Sequence, residues 1–286
     1  MSDFHPVSQT RHSTKRWARY KSYQFAANDS VAALVAAEMP KACMAFPTGF
    51  IKTEQGYNPV AVLGLGGGQN LFVTKDGRWI GGYIPAVYRS YPFRLLQSGD
   101  QQLLCIDEAS GLVIDAESAS LNAESPPKAA NTNEKLEHFF NDQAEPSEAL
   151  KPIVEFLTQV ERNRQATAIA LGSLDKAQLL VPWEILVKGD GGKELRLEGL
   201  YRIDELAFNG LSSQAFEELR QSSAVALAYC QMLSMQHLQL LGQLAQAHTR
   251  AQAHAQARPL GTASGEIDFS FLSGTDPIAF GTGSSS

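Results

Sequence analysis

The stretch Leu63–Leu96, LGLGGGQNLFVTKDGRWIGGYIPAVYRSYPFRLL, decides the fold of this 286-residue chain. It contains seven glycines, two prolines and six aromatic residues. This composition is typical of short strands joined by tight turns, because glycine and proline set turn conformations while aromatic residues favour strands. No recognisable catalytic motif accompanies the stretch. It therefore indicates a recognition or assembly module more than a site of reaction.

A hairpin is predicted in the middle of this stretch. Asn70–Thr74 and Arg78–Tyr83 are rich in β-branched and aromatic residues, and Lys75-Asp76-Gly77 lies between them. Asp-Gly is a strong hairpin signal because both central positions of the favoured turn need positive φ. The glycine run Gly66–Gly68 precedes the hairpin and indicates positive φ or a close approach of the backbone.

Arginines and aromatic rings alternate through the second half of the stretch. Pro85 and Pro92 push the residues before them towards extended conformations, so Tyr83–Arg94 is predicted to be a bent, irregular chain laid over a surface. Arginine beside aromatic rings suits ligand stacking or a protein interface, and Arg89 suits a hydrogen-bond fork to a carboxylate or to carbonyls. The alternative is a core whose rings are buried beneath the arginine stems. The candidate binding or interface residues are Arg78, Trp79, Tyr83, Arg89, Tyr91 and Phe93.

No cofactor or metal is predicted. Gly64–Gln69 approaches the dinucleotide fingerprint, but Gln69 replaces its last glycine and a strand follows where a helix is needed. The G-x-S-x-G, H-E-x-x-H, Walker A and paired-cysteine motifs are absent from the sequence. Cys43, Cys105 and Cys230 have neither metal-site nor disulfide spacing, which is typical of a reducing compartment. A catalytic site assembled from distant residues stays open.

The composition argues against nucleic acid and membrane as partners. The formal charge of −6 gives no general attraction to phosphate, so nucleic-acid binding is not expected. No run approaches the ~20 apolar residues of a membrane span. Residues 1–22 form a basic aromatic segment without the apolar run of a secretory signal, which predicts cytoplasmic synthesis. We interpret this segment as a flexible, solvated arm that becomes a strand at about Tyr23.

The remaining patterns predict an α+β fold, β-rich with hairpins in its N-terminal half and helical in its C-terminal half, ending in one long helix. The domain is expected over residues 23–244, with a polar insertion near 107–146. The predicted helices are Val31–Glu38, Glu148 to about Arg164 with Ser147 as its cap, Leu174–Val181, Asp204–Phe208, Ser212–Gln221 and Ala224 to about Ala257. A hairpin joins Trp183–Lys188 to Lys193–Ile203.

The last helix and the tail carry two further predictions. The helix is expected to pack through Val225, Tyr229, Met232, Leu233, Leu240, Leu241 and Leu244, with His237 a hydrogen-bonded packing residue. Residues 245–286 are a helix extension and a Gly/Ser/Thr-rich tail, in which Ile267, Phe269 and Phe271 alternate with polar residues. Alternation places the three on one side of an extended strand, which predicts docking on another subunit or partner. The alternative is a disordered end.

Several segments resemble the SapC family of bacterial proteins. The matching segments are Ala45–Phe50, Val62–Leu65, Asn70–Val73, Gly77–Trp79, Tyr83–Ala86, Arg89–Phe93, Gly199–Glu205 and Ala228–Met235. The resemblance runs from about Tyr20 to Leu244 and is most specific between Trp79 and Phe93. The glycines at Gly66–Gly68, the polar insertion and the tail depart from the family's pattern. The resemblance implies a link to a bacterial surface layer and a bacterial or phage origin, and it brings no catalytic residues.

Two functions therefore remain. The absence of catalytic motifs favours a non-enzymatic binding or assembly protein, joined to protein partners or to copies of itself in a surface layer or a virion. The alternative is an enzyme or an enzyme accessory protein, with a pocket floored by the glycine loop and lined by Arg89 and Tyr91. A deep pocket where Arg89 meets a carboxylate would favour the enzyme, and a flat aromatic patch would favour assembly.

Overall fold

The computed structural model describes residues 3–66, 68–99, 101–115, 136–188 and 194–257. The chain divides into two units, residues 1–247 and residues 248–286. The predicted α+β class is confirmed, with most strands in the first half and the long helical run at the end. No helix of the described ranges is long and apolar enough to cross a bilayer.

Thirteen strands are described. They are β1 (Phe4–Pro6), β2 (Lys15–Trp17), β3 (Val31–Ala33), β4 (Thr48–Thr53), β5 (Gly56–Val62), β6 (Phe93–Ser98), β7 (Gln101–Asp107), β8 (Val113–Asp115), β9 (Glu137–His138), β10 (Leu180–Pro182), β11 (Ile185–Lys188), β12 (Glu194–Leu197) and β13 (Leu200–Ile203). They form four antiparallel sheets, ordered β10-β13-β4-β5-β3, β1-β7-β6, β8-β2-β9 and β11-β12.

The helices are short except for two. They are α1 (Gln9–His12), α2 (Met39–Ala42), α3 (Ala86–Arg89), α4 (Lys151–Lys176), α5 (Glu205–Asn209), α6 (Ser213–Gln221), α7 (Ala224–Ser234) and α8 (Leu238–Ala257). The described ranges also contain four 3-10 turns, at Gln24–Ala26, Ala36–Glu38, Glu108–Ser110 and Met235–His237.

Helix α4 connects two hydrophobic cores. The larger core surrounds the five-stranded sheet and includes Phe50 and Leu171, while the smaller contains Trp17, Phe93 and Leu157. The first turns of α4 pack on the smaller core through an apolar stripe, Ile153, Val154 and Leu157, whereas its last turns pack on the larger core. Helix α4 therefore contributes side chains to both cores and links them.

A buried polar network fixes α7 to the five-stranded sheet. The Gln231 side chain accepts a hydrogen bond from Ile203 N at 2.9 Å and donates to Thr48 O at 3.2 Å. Ser234 Oγ accepts from Thr48 N at 2.9 Å. Because buried polar groups are costly unless they are paired, this network defines one orientation of α7.

The N-terminal segment is not the flexible arm that the sequence suggested. Strand β1 pairs with β7, and β2 is the central strand between β8 and β9. Trp17 is 1% exposed and its Nε1 donates to His138 O at 3.3 Å. The correction follows from long-range pairing, which leaves Lys15 and Arg16 half-buried on β2 while Trp17 fills the smaller core.

Two predicted helices are wrong. Val31–Glu38 contains strand β3 and a 3-10 turn, because its first residues pair with β5. Leu174–Val181 contains the end of α4 and strand β10, because Gln178 adopts φ 56° and ends the helix. Helix α4 itself is longer than predicted and starts later, although Ser147 Oγ does accept from Leu150 N at 3.2 Å.

The C-terminal predictions are largely confirmed. Helices α5 and α6 begin after Asp204 and Ser212, whose side chains cap them. Strands β11 and β12 pair as the expected hairpin, although its second arm is divided at Gly199. Residues 116–135 of the polar insertion predicted near 107–146 lie outside the described residues, whereas β8 and β9 on either side of them pair with β2.

The long helix is interrupted, and five of the seven residues of the predicted stripe pack on the larger core, namely Val225, Met232, Leu240, Leu241 and Leu244. The 3-10 turn Met235–His237 separates α7 from α8. Two residues of the predicted stripe, Tyr229 and Leu233, are 47% and 63% exposed, whereas Leu227 and Gln231 are buried. The polar network selects this face, which hydrophobicity alone could not reveal. The hydrogen bond predicted for His237 does not involve its Nε2, which is buried with no partner among the described residues.

Candidate functional site

The predicted turn at Asp76-Gly77 is present, but the two predicted strands beside it are wrong. Thr74 N donates to Arg78 O and Gly77 N donates to Thr74 O, both at 2.9 Å. The strands are reduced to one bridge, Val73 with Trp79. Of the turn residues only Gly77 has positive φ, at 79°, which is typical of a three-residue loop. The chain after Trp79 is tightly packed, since a Cβ on Gly81 would lie 2.8 Å from the Phe46 ring.

This turn anchors the N-terminal aromatic residues. Tyr23 N donates to Gly77 O at 2.8 Å, and the Tyr23 ring lies 5.6 Å from the Trp79 ring. Trp79 Nε1 donates in turn to Tyr83 O at 2.8 Å. The turn, the N-terminal segment and the Tyr83–Arg89 segment therefore form one continuous packing unit.

Glu38 holds the Tyr83–Arg89 segment in place. Its Oε1 accepts from Tyr83 Oη at 2.9 Å and from Ala86 N at 2.6 Å, and its Oε2 accepts from Val35 N at 3.1 Å. The carboxylate is buried, with 5% of the residue exposed. The prediction that Tyr83–Arg94 is an irregular chain is wrong. This segment contains α3, a cis Tyr91-Pro92 bond and the start of β6.

Arg89 lies beside this carboxylate. Its Nη2 donates to Tyr83 Oη at 3.0 Å and is 3.6 Å from Glu38 Oε1. The guanidinium also lies 4.8 Å from the Phe156 ring centroid. Arg89 thus meets a carboxylate as predicted, but through one nitrogen instead of a two-bond fork. Burial and the nearby Glu38 charge raise the pKa of Tyr83 to about 12, so it donates as a neutral phenol.

A cleft of about 340 Å³ opens on the other side of Arg89, and we call it the aromatic–arginine cleft. Its lining residues are Trp17, Arg19, Tyr20, Tyr23, Arg89, Ser90, Tyr91 and Ile153. None of them is acidic, so two guanidinium groups give the cleft a positive character. The described glycines of the loop near Gly66 are not among them, so the predicted glycine floor is wrong.

Packed rings shape the wall of the cleft. Tyr91 stacks on Phe25 with ring centroids 3.8 Å apart and an interplanar angle of 8°. Tyr20 lies edge-on to both, at 6.1 Å from Tyr91 and 5.2 Å from Phe25. Arg19 lies over the Trp17 ring at 5.4 Å. The rings support one another, so the cleft presents a preformed surface.

The predicted site residues fall into different environments. Arg89 and Tyr91 line the cleft, and Tyr83 and Trp79 support it from behind. Arg78 is exposed and pairs with Asp76 at 2.5 Å. The prediction that Phe93 is an interface residue is wrong. Phe93 is 1% exposed and packs edge-on against Trp17, which leaves it no surface for a partner. Ile267, Phe269 and Phe271 lie outside the described residues.

Sequence reasoning missed four cleft residues and one anchor. Trp17, Arg19 and Tyr20 were attributed to a solvated arm, although their alternation of aromatic and basic side chains was a usable signal. Tyr23 was expected to begin a strand, which is wrong, because a 3-10 turn follows it. Glu38 was assigned to a helix end, where a carboxylate is ordinarily solvated. Its buried position depends on Tyr83 and Ala86, which lie far along the chain.

The chemistry of the cleft suits binding. Burial raises the pKa of the Tyr20 and Tyr91 hydroxyls, so these groups stay neutral hydrogen-bonding phenols. Among the residues that the structure describes, no three His, Cys, Asp or Glu side chains converge as a metal site. Stacked rings and guanidinium groups are the usual anchors of protein interfaces.

One known protein family matches the part of the chain that contains the aromatic–arginine cleft. The SapC family profile matches residues 7–241. The chain belongs to the SapC family. The match begins ahead of β2 and ends within α8, so it includes both the aromatic–arginine cleft and the Glu38 anchor. No curated protein and no solved structure matches the chain.

Proposed function

We propose that this SapC-family protein is a non-enzymatic binding and assembly protein. The aromatic–arginine cleft would bind protein partners or further copies of the chain, within a larger structure such as a bacterial surface layer or a virion. One observation carries the proposal: preformed aromatic rings and two guanidinium groups, Arg19 and Arg89, line a cleft without an acidic residue. A protein segment with an acidic residue beside an apolar or aromatic anchor would complement this surface.

The alternative, an enzyme or an enzyme accessory protein, has one observation in its favour. Arg89 does approach a carboxylate, Glu38, at 3.6 Å. However, both oxygens of that carboxylate already accept hydrogen bonds, from Tyr83, Ala86 and Val35. A carboxylate held this way stabilises the local chain instead of accepting a substrate proton, which is why assembly is the preferred proposal.

The proposal is tested by native mass spectrometry and sedimentation of the full chain. We expect species heavier than the 31.1 kDa monomer, which Arg19→Glu should dissociate. Lys52→Glu is the matched control, because Lys52 also lies over a ring, at 5.5 Å from Tyr57, but outside the cleft. A purely monomeric parent, or equal assembly of both variants and the parent, would contradict self-assembly through the cleft.

A further inference from the structure

Two of the three cysteines lie together where α2 packs on α7. Cys43 directly follows the last residue of α2, and Cys230 is in the middle of α7. Cα atoms of these two helices approach within 8 Å of one another. The thiols of Cys43 and Cys230 share a hydrogen bond. Cysteines whose spacing in the sequence predicts no disulfide are therefore neighbours in the fold.

The backbone on both sides of this thiol pair is fixed. Ser234, one helical turn after Cys230, accepts a hydrogen bond from Thr48 N at 2.9 Å. Gln231 donates to Thr48 O at 3.2 Å. Thr48 begins β4, which follows Cys43 closely in the chain. Because this network is buried, it keeps α7 against the segment that carries Cys43, and the two sulfur atoms stay close.

The thiol pair lies at an edge of the core that solvent can reach. Cys43 is buried and Cys230 is half-buried. Met44, the residue after Cys43, is exposed, and so is Leu233, which shares a face of α7 with Cys230. A small oxidant can therefore reach Cys230 first. The third cysteine, Cys105, is buried on β7 in a different sheet.

We propose that Cys43 and Cys230 form a reversible disulfide when the chain meets a peroxide. The Cys230 sulfur attacks one oxygen of hydrogen peroxide, the O–O bond breaks, and water leaves, which gives a sulfenic acid at Cys230. The Cys43 sulfur then attacks the Cys230 sulfur, the S–O bond breaks, and a second water leaves. The two thiols lose two electrons and two protons, and the peroxide is reduced to water. The modification site does not depend on the assembly role.

The environment of Cys230 sets the conditions of the test. Burial, together with the charge of Cys43 and the hydrogen bond to it, raises the pKa of the Cys230 thiol to about 11. The thiolate is the nucleophile, so the reaction is slow at neutral pH and faster in mildly alkaline solution.

The test is peptide mapping of the full chain after treatment with hydrogen peroxide at about pH 9, with the remaining thiols alkylated before digestion. Trypsin places Cys43, Cys105 and Cys230 on separate peptides, 42–52, 95–128 and 221–250. We expect peptides 42–52 and 221–250 to be linked, and dithiothreitol to separate them. Sulfoxide at the exposed Met44 in the same digest is the internal standard for peroxide at this surface.

Two variants test the pairing and the order of attack. Cys43→Ser should abolish the link and leave a sulfenic acid at Cys230 that dimedone labels. Cys105→Ser is the matched control and should form the link as the parent does. Absence of the dimedone label in Cys43→Ser would overturn the order of attack. The disulfide itself is overturned if peroxide links no such pair in the parent, if Cys105 takes part in the link, or if the linked species is a dimer by intact mass.

Discussion

Replacing Gly77 with valine should destabilise the protein by roughly 2–3 kcal/mol, the sum of two structural costs. The first cost is conformational: Gly77 has φ 79°, and a left-handed backbone costs an L-residue about 1–2 kcal/mol. The second is steric, because a Cβ on Gly77 would overlap Ser22 Oγ. Ser22 must then rotate and lose the hydrogen bond that Gln24 N donates to it at 3.2 Å, which costs about 0.5–1.5 kcal/mol.

The assay is denaturant unfolding followed by circular dichroism, with the free energy taken at constant m-value. Gly99→Val separates the two costs, because Gly99 has φ 59° but a Cβ there would meet nothing within 4 Å. It should lose only the conformational part. In the Ser22→Ala background the extra cost of Gly77→Val should shrink. An unchanged unfolding free energy for Gly77→Val, or equal losses at Gly77 and Gly99, would refute the argument that this turn anchors the N-terminal segment.

Four further outcomes are expected. Arg89→Lys should lower the melting temperature more than Arg162→Lys, because it loses the hydrogen bond to Tyr83 and the contact with Phe156; equal shifts would make Arg89 an ordinary surface charge. Glu38→Gln should cost about 1–3 kcal/mol of unfolding free energy, since one buried acceptor becomes a donor. Hydrogen bonding from Arg11 lowers the Glu108 pKa from 4.5 to about 2, so its stabilisation is complete above pH 4.5 and is lost as the pH falls towards 2. The melting-temperature gap between the parent and Glu108→Gln should close over that window, and a constant gap would argue against the ion pair. Truncation after Ala257 should abolish assembly while the core stays folded; unchanged sedimentation would show that the tail segment with Ile267, Phe269 and Phe271 does not dock.

Local signals in the sequence were sufficient wherever neighbouring residues decide the structure. The side chains of Asp204 and Ser212 accept hydrogen bonds from amides three residues ahead, so the starts of α5 and α6 can be predicted from residues close in sequence. Gly77 marks its turn for the same reason, because positive φ is a property of one residue. The apolar stripe of α4 was also readable, since helical periodicity shows which side chains share a face.

The candidate site was only partly readable. Arg89 and Tyr91 were identified because arginine beside aromatic rings is a recognisable pattern, and both do line the aromatic–arginine cleft. Phe93 has the same local pattern but faces the smaller core, where Trp17 and Phe139 surround it. Pattern alone cannot distinguish the two, because adjacent residues of a bent segment point to different surroundings.

The sequence by itself determined the fold class, the family, the caps and the main turn. Tertiary structure alone decided that Phe4–Pro6 and Lys15–Trp17 are strands, that Glu38 is a buried anchor, and that α7 presents Gln231 to the sheet. The physical reason is common to all three. A strand needs a neighbouring strand, a buried carboxylate needs hydrogen-bond donors, and a buried amide needs both a donor and an acceptor. Here these groups come from residues distant in the chain.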